Sequence, residues 1–354
     1  MVFWKRCSRL PTQSPCGRLP TFAVQTGNVS TDEQNAHGLD ETIDGQIGVR
    51  YIAILYRRLS MFVQRSEKKW IAETPAKINL FFEVLGKRND NFHEIVSIAC
   101  PIRLFDTLAF EFTDDPLIQF KCVGNGKNVP NDETNLVVRA VKLIQQRFNV
   151  PFGAAITLTK RIPSQAGLGG GSSDAVAALR LASRTWNLDV SDSELLPIAA
   201  EIGSDCPIFL FDTPTISKGR GEQIQPLPPM PTLWFVLLKP PEGLSTAQVY
   251  AECMPLHDGQ FRQPDDLMSA LSSGDVSQIG LHLFNRLEIP AQKLWHRFGT
   301  IKRQLLESGC LAVQMSGSGT AFFGLCENEA HATETFHRLC GDSAPNNEIF
   351  LVRT

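Results

Sequence analysis

Apolar and polar positions settle into regular periods only from about residue 70 onward. The run Lys77-Ile78-Asn79-Leu80-Phe81-Phe82-Glu83-Val84-Leu85 is β-rich and apolar, so it predicts a largely buried strand. Side chains on a strand repeat every two residues, which puts Lys77 and Asn79 on one face. Residues 154–158 predict a second strand, and it leads through Lys160-Arg161-Ile162-Pro163 into a cluster of glycines. Beyond the glycines Ala175, Ala178, Leu179 and Ala182 recur at helical spacing, predicting a helix that starts near Ser172 or Ser173 and closes at Asn187. Strand, glycine loop and helix thus run consecutively. Pro226, Pro228, Pro229 and Pro231 then cluster, a natural boundary because proline has no amide to donate. Past it, residues 233–238 predict a strand, 265–271 and 293–306 predict helices, and 310–315 and 320–325 predict two further strands. There is no internal repeat.

A chain of 354 residues can bury two cores, and the proline cluster divides it into an extension over 1–68, a first domain over 69–231 and a second over 232–354. The composition is that of a globular enzyme, with 43% hydrophobic and 20% charged residues. A formal charge of -3 gives no broad basic field, which argues against a nucleic-acid partner. No apolar stretch reaches the roughly 20 residues that span a bilayer, which argues against a membrane protein. The nine cysteines include no C-x-x-C pair, so they read as reduced thiols and not as a metal site. The first 30 residues carry Lys5, Arg6, Arg9 and Arg18 and no acid, as transit peptides do. Met61 just before the patterned body offers the alternative of a start placed too early. The two readings imply a plastid and a cytoplasmic setting respectively, and the cytoplasmic one is preferred.

The most informative stretch is Pro163-Ser164-Gln165-Ala166-Gly167-Leu168-Gly169-Gly170-Gly171-Ser172-Ser173-Asp174. Glycines let a backbone approach a phosphate closely, and the free amides and dipole of a helix N-terminus favour an anion. A turn capped by serine has a similar composition, so the loop alone does not decide. No Gly-Lys-Ser/Thr follows, which excludes a Walker A loop, and Ser172 stands where a dinucleotide fingerprint needs its last glycine.

The loop resembles the second motif of the galactokinase, homoserine kinase, mevalonate kinase and phosphomevalonate kinase superfamily. Upstream, Pro75-Ala76-Lys77-Ile78-Asn79-Leu80 and Gly86-Lys87-Arg88-Asn89-Asp90-Asn91-Phe92-His93-Glu94 resemble the first motif of one branch, the 4-diphosphocytidyl-2-C-methyl-D-erythritol kinases. Downstream, Gln314-Met315-Ser316-Gly317-Ser318-Gly319-Thr320 resembles the third motif. Gly203-Ser204-Asp205-Cys206-Pro207 and Gly219-Arg220-Gly221-Glu222 also match that branch. The resemblance runs from about Glu73 to the C-terminus.

It implies an α+β fold of two domains, the first like ribosomal protein S5 and the second ferredoxin-like, with the active site in the cleft between them. It implies a small-molecule kinase that uses ATP and magnesium to phosphorylate the 2-hydroxyl of its cytidyl substrate in the non-mevalonate isoprenoid pathway. By the same resemblance Asp205 is the catalytic base and Lys77 its partner. ATP would lie on Asn135, Lys160, Pro163, Gly167, Leu168, Gly169, Gly170, Gly171, Ser172, Ser173, Ser316 and Gly317. The acceptor would meet Asn79, Phe92, His93, Thr246 and Tyr250, with Phe92 standing where the family usually has tyrosine. No protein ligand for the metal can be read, and the assembly is expected to be a monomer or homodimer. Within the superfamily a homoserine or mevalonate-type kinase is the alternative, but Phe92, His93 and Tyr250 suit a flat base better than a small aliphatic alcohol. A binding module without catalysis is the alternative of another class, and the presence of both Lys77 and Asp205 speaks against it.

Overall fold

The computed structural model describes residues 63–66, 69–125, 129–253, 261–344 and 346–354, with the backbone of Val2–Arg6 and Tyr51–Ile52. The extension expected over 1–68 therefore lies largely outside the described residues. The strands in chain order are β1 (Val2–Arg6), β2 (Tyr51–Ile52), β3 (Val63–Ser66), β4 (Lys69–Lys87), β5 (His93–Thr113), β6 (Ile118–Gly124), β7 (Gly153–Lys160), β8 (Thr215–Gly219), β9 (Gln223–Pro226), β10 (Trp234–Lys239), β11 (Phe284–Asn285), β12 (Ala312–Met315), β13 (Phe322–Cys326) and β14 (Glu348–Arg353). The helices are α1 (Leu136–Arg147), α2 (Gly170–Thr185), α3 (Asp192–Ile202), α4 (Thr246–Ala251), α5 (Asp265–Ser273), α6 (Val276–His282), α7 (Glu288–Leu294), α8 (Phe298–Glu307) and α9 (Glu329–Asp342), with a 3-10 turn at Cys206–Leu210.

The strands form two sheets. The first has the order β11-β4-β5-β7-β6, with β3 added to β4, and β8 and β9 added along β5; the second has the order β12-β13-β10-β14-β1-β2. The long antiparallel pair β4 and β5 is the spine of the first sheet. Its register slips between Pro75 and Ala76 and again between Asn79 and Phe81, so two bulges bracket the segment that carries Lys77 and Asn79. Bulges bend a strand and re-aim its side chains. Helices α1, α2 and α3 cover one face of this sheet. The alanines of α2 at 175, 177, 178 and 182 are fully buried, and their small size lets the helix lie close to the strands.

Strand β10 is apolar at nearly every position because both faces of the second sheet are covered. Phe235 and Leu237 point one way, into a core shared with Ile78, Leu80, Ile98 and Ile102 of the first sheet. Trp234, Val236 and Leu238 point the other way, onto Phe298, Ile301, Leu305, Phe336 and Leu339 of α8 and α9. The period of two along one strand thus locks the halves together and leaves a cleft at their margin. The helix expected over 293–306 is two helices, because the chain leaves helical geometry at Trp295. The buried Trp295 ring packs on Phe298 and Phe322 at 6.4 and 6.2 Å. No helix among the described residues is long and apolar enough to cross a membrane.

A buried ion pair also joins the halves. Arg286, just after β11, donates two hydrogen bonds of 2.7 and 2.8 Å to the fully buried Glu83 of β4, and the Arg262 backbone N–H donates a third of 2.9 Å. Removing one member of a buried pair leaves the other charge poorly compensated. Glu83→Ala is therefore expected to lower unfolding stability by about 3 kcal/mol in urea titration, and Glu83→Gln by less.

Candidate active site

The glycine loop and the start of α2 are built from backbone geometry that side chains resist. Gly167 and Gly169 have φ of +74° and +69°, in the left-handed region. A Cβ on Gly169 would stand 2.8 Å from Phe209 and 3.0 Å from the Lys77 stem, so the bare Cα lets Lys77 pass beside the loop. Helix α2 starts at Gly170, two residues before the earliest expected position, with Ser173 N–H donating to Gly169 C=O at 2.9 Å. The amides of the first turn are left without helical acceptors, which suits an anion. At the other end α2 stops at Thr185, and Asn187 takes a φ of +53° as asparagine often does after a helix.

The third motif reaches this loop from the second half. Ser316 Oγ donates to Gly167 C=O at 2.9 Å and Ala321 N–H donates to Ala166 C=O at 3.1 Å. A Cβ on Gly167 would lie 2.0 Å from the Ser316 carbonyl oxygen. The loops thus approach so closely that position 167 has no room for a side chain. Asn285 steadies the third motif by donating to the Met315 and Gly317 carbonyls, both at 2.8 Å, and Gln314 Nε2 donates to Asn79 C=O at 2.8 Å.

Lys77 sits where these parts meet. Its backbone N–H donates to Leu168 C=O at 2.9 Å, and its ammonium donates to Asn79 Oδ1 at 2.6 Å. The Asp205 carboxylate lies 3.6 Å away, with Lys77 only 3% exposed and Asp205 49% exposed. Asn79 in turn donates to Ser97 Oγ at 2.8 Å, which fixes the orientation of its amide. A buried cation is thereby held beside a carboxylate that is open to the cleft. Cys206, next to Asp205, is buried and its thiol is pushed up to about 12, so it stays protonated.

A cavity of about 1120 Å³ runs along this region, lined by Lys77, Gly167, Gly169, Ser172 and Asp205 and by Gly317, Ser318 and Thr246 from the second half. Thr246 and Ser318 share a hydroxyl hydrogen bond of 2.8 Å. Phe92, His93 and Tyr250 line the same cavity, with the His93 and Tyr250 rings 5.0 Å apart. Burial and then the charge of Lys87 hold the His93 imidazole below its ordinary value. Burial and the charge of Asp205 push the Tyr250 phenol up, so both rings are neutral near pH 7. Phe92 is 46% exposed, and the Arg220 guanidinium lies over its ring at 5.0 Å. Arg220 lines the cavity and makes no ion pair among the described residues.

The remaining expected residues do not line this cavity. Asn135 caps α1, accepting from Val137 N–H at 2.8 Å and donating to Pro130 C=O at 2.7 Å, and it does not line the cavity. Lys160 is 4% exposed, and its ammonium is enclosed by the Asp106 and Asp174 carboxylates. Pro163 and Leu168 are buried, and Leu168 offers the site its carbonyl alone. Gly170 is buried and Gly171 exposed in the first turn of α2. Ser173 is fully buried, and its hydroxyl has no hydrogen-bond partner among the described residues. Arg220 and Gln314 fall within family-like segments of the sequence that give neither one a role, and Asn285, in a two-residue strand without any pattern of its own, escaped the reading of the sequence altogether.

A family profile described as GHMP kinases N terminal domain matches residues 135–213, and one described as GHMP kinases C terminal matches residues 267–343. Fold and site together define a small-molecule kinase of the GHMP class. A protein of Shouchella clausii named 4-diphosphocytidyl-2-C-methyl-D-erythritol kinase is 38% identical over 286 residues, which cover 81% of this chain and 95% of that protein. A crystal structure of 4-(cytidine 5'-diphospho)-2C-methyl-D-erythritol kinase is 31% identical with a TM-score of 0.68, covering 80% of this chain and 99% of that one. The homoserine kinase of Cytophaga hutchinsonii shares the fold, at 20% identity, a TM-score of 0.67 and coverage of 83% of this chain and 97% of that one. The chain belongs to the 4-diphosphocytidyl-2-C-methyl-D-erythritol kinase family.

The contact of the two loops can be tested at its tightest point. Gly167→Ala places a methyl against the Ser316 carbonyl and strains a left-handed residue, so the loops must move apart. A displacement on the order of 1 Å predicts a loss of about 10²-fold in kcat/KM for ATP. A cooperative thermal transition should persist in the variant.

Proposed function

We propose that the protein transfers the γ-phosphoryl group of ATP to the 2-hydroxyl of 4-diphosphocytidyl-2-C-methyl-D-erythritol, in the non-mevalonate route to isoprenoid precursors. The observation that carries this reading is the continuity of one cavity from the helix N-terminus and the Lys77–Asp205 pair to the rings of Phe92, His93 and Tyr250. An anion-binding helix start suits a triphosphate, and flat rings suit a pyrimidine.

In this reading Asp205 accepts the proton of the acceptor hydroxyl as its oxygen attacks the γ-phosphorus. The bond from that phosphorus to the β-phosphate oxygen breaks, and ADP leaves. Phosphoryl transfer asks mainly for alignment and charge stabilisation. Lys77 supplies both, by holding Asp205 beside it and by placing a fixed positive charge near the transferring group. Phe92 offers the base a stacking face, neutral His93 offers it a hydrogen bond, and Arg220 supplies a cation to the acceptor's diphosphate. Magnesium, when bound to the nucleotide, neutralises phosphate charge. The unpartnered Ser173 hydroxyl is a fitting oxygen for it, whereas both oxygens of Asp174 are already engaged by Thr74 and Lys160.

The working unit is a monomer or homodimer, and the bacterial relatives support a cytoplasmic setting. The test is release of ADP with Mg-ATP and, in turn, the cytidyl acceptor, mevalonate and homoserine. Turnover is expected with the cytidyl compound alone, falling about 10²- to 10⁴-fold in Asp205→Asn. Turnover with another alcohol alone would overturn the acceptor, and an undiminished Asp205→Asn variant would overturn the base.

A further inference from the structure

Beneath the glycine loop lies a group of charges that the chemistry above leaves unused. The Lys160 ammonium, at the end of β7, is 2.5 Å from Asp106 Oδ2 on β5 and 2.9 Å from Asp174 Oδ2 in the first turn of α2. All three side chains are buried. The remaining carboxylate oxygens are also engaged. Asp174 Oδ1 accepts from Thr74 Oγ1 of β4 at 2.6 Å, and Asp106 Oδ1 accepts from the backbone N–H groups of Arg161 and Ile162, the latter at 2.8 Å. Two carboxylates and one ammonium therefore tie together β4, β5, the end of β7 and the start of α2. These are the four elements that flank the loop.

The position of the ammonium explains what this arrangement can do. A Cβ built on Gly170 would stand 3.1 Å from Lys160 Nζ, so the charge lies directly under the backbone of the first residue of α2. Lys160 does not line the cavity, and its ammonium is already held by two carboxylates. Burial and the neighbouring Asp174 push the Asp106 carboxyl up to about 7, and Asp174 itself stands near the N-terminal end of α2, where the helix dipole favours a carboxylate. Thr74 stands three residues before Lys77 on the same strand, so the network also anchors the strand that delivers the catalytic lysine.

We propose that Asp106, Lys160 and Asp174 form a positioning unit for the nucleotide, which sets the α2 amides and the glycine loop in place without touching ATP. The inference rests on the kinase reading given above and assigns Lys160 an indirect role in it. Buried polar networks act as units, so removing any member should disturb the loop to a similar degree.

The experiment is calorimetric titration of a non-hydrolysable ATP analogue with magnesium into the full chain. The variants are Lys160→Met, Asp106→Asn, Asp174→Asn, the double variant Lys160→Met/Asp106→Asn, and Thr74→Val, which removes only a hydroxyl and is the mildest test if a charge variant fails to fold. Each charge variant is expected to weaken nucleotide binding by about tenfold or more, Thr74→Val by less, and the double variant no more than the worse single one. KM for the cytidyl acceptor should stay within about twofold of wild type, a split that a general loss of structure would not produce. Weakening in Lys160→Met alone, with both carboxylate variants and Thr74→Val at wild-type affinity, would overturn the proposal and make Lys160 a direct ligand. Lower thermal stability with unchanged nucleotide affinity throughout would also overturn it, leaving the group a role in the fold only. A wild-type chain that bound no nucleotide would instead bring down the kinase reading itself.

Discussion

The structure depends on keeping one ammonium, that of Lys77, almost completely out of water. An isolated buried charge of this kind costs several kcal/mol unless partners are fixed around it. The fold provides them from separate parts of the chain. Asn79 comes from the same strand face and Asp205 from the turn after α3, while the Leu168 carbonyl of the glycine loop fixes the Lys77 backbone that carries the charge. Because Gly169 has no side chain, the lysine stem can lie against the loop that is suited to the triphosphate. The same arrangement that makes the burial tolerable also brings base, cation and phosphate site together.

The second half completes this arrangement by contacts that depend on bare backbone. Its third motif rests on Gly167, and its segment around Thr246 is hydrogen-bonded to Ser318 within that motif. The loop facing ATP and the segment facing the acceptor are thus bound to each other as well as to the first half. Asn285 and Gln314 hold the motif from behind. Close approach of two substrates is what an in-line transfer between them requires.

Much of the first half was legible in the sequence because its signals are local. Strand β4 and the common face of Lys77 and Asn79 follow from a period of two, and the glycine loop followed by an alanine-rich helix follows from spacing. Helix α2 begins earlier than its serines indicate, because left-handed Gly169 can start it and the following glycines adopt helical geometry. The helix over 293–306 divides because Trp295 turns into a core that only the folded chain creates. What stayed hidden was long-range. Asp106 and Lys160 are 54 residues apart, and nothing near either one announces the other. The place of Asp205 came from family resemblance, since an aspartate before Cys-Pro has no local mark of catalysis.

In the proposed reaction the central role in this site is that of Lys77, which acts in the chemical step and not in binding. Rapid-quench single turnover with Mg-ATP and saturating cytidyl acceptor, comparing wild type with Lys77→Met, measures this directly. The transfer rate is expected to fall by about 10²- to 10³-fold in the variant, with nucleotide affinity changed only a few-fold. A transfer rate near that of wild type, or a loss confined to nucleotide affinity, would contradict it.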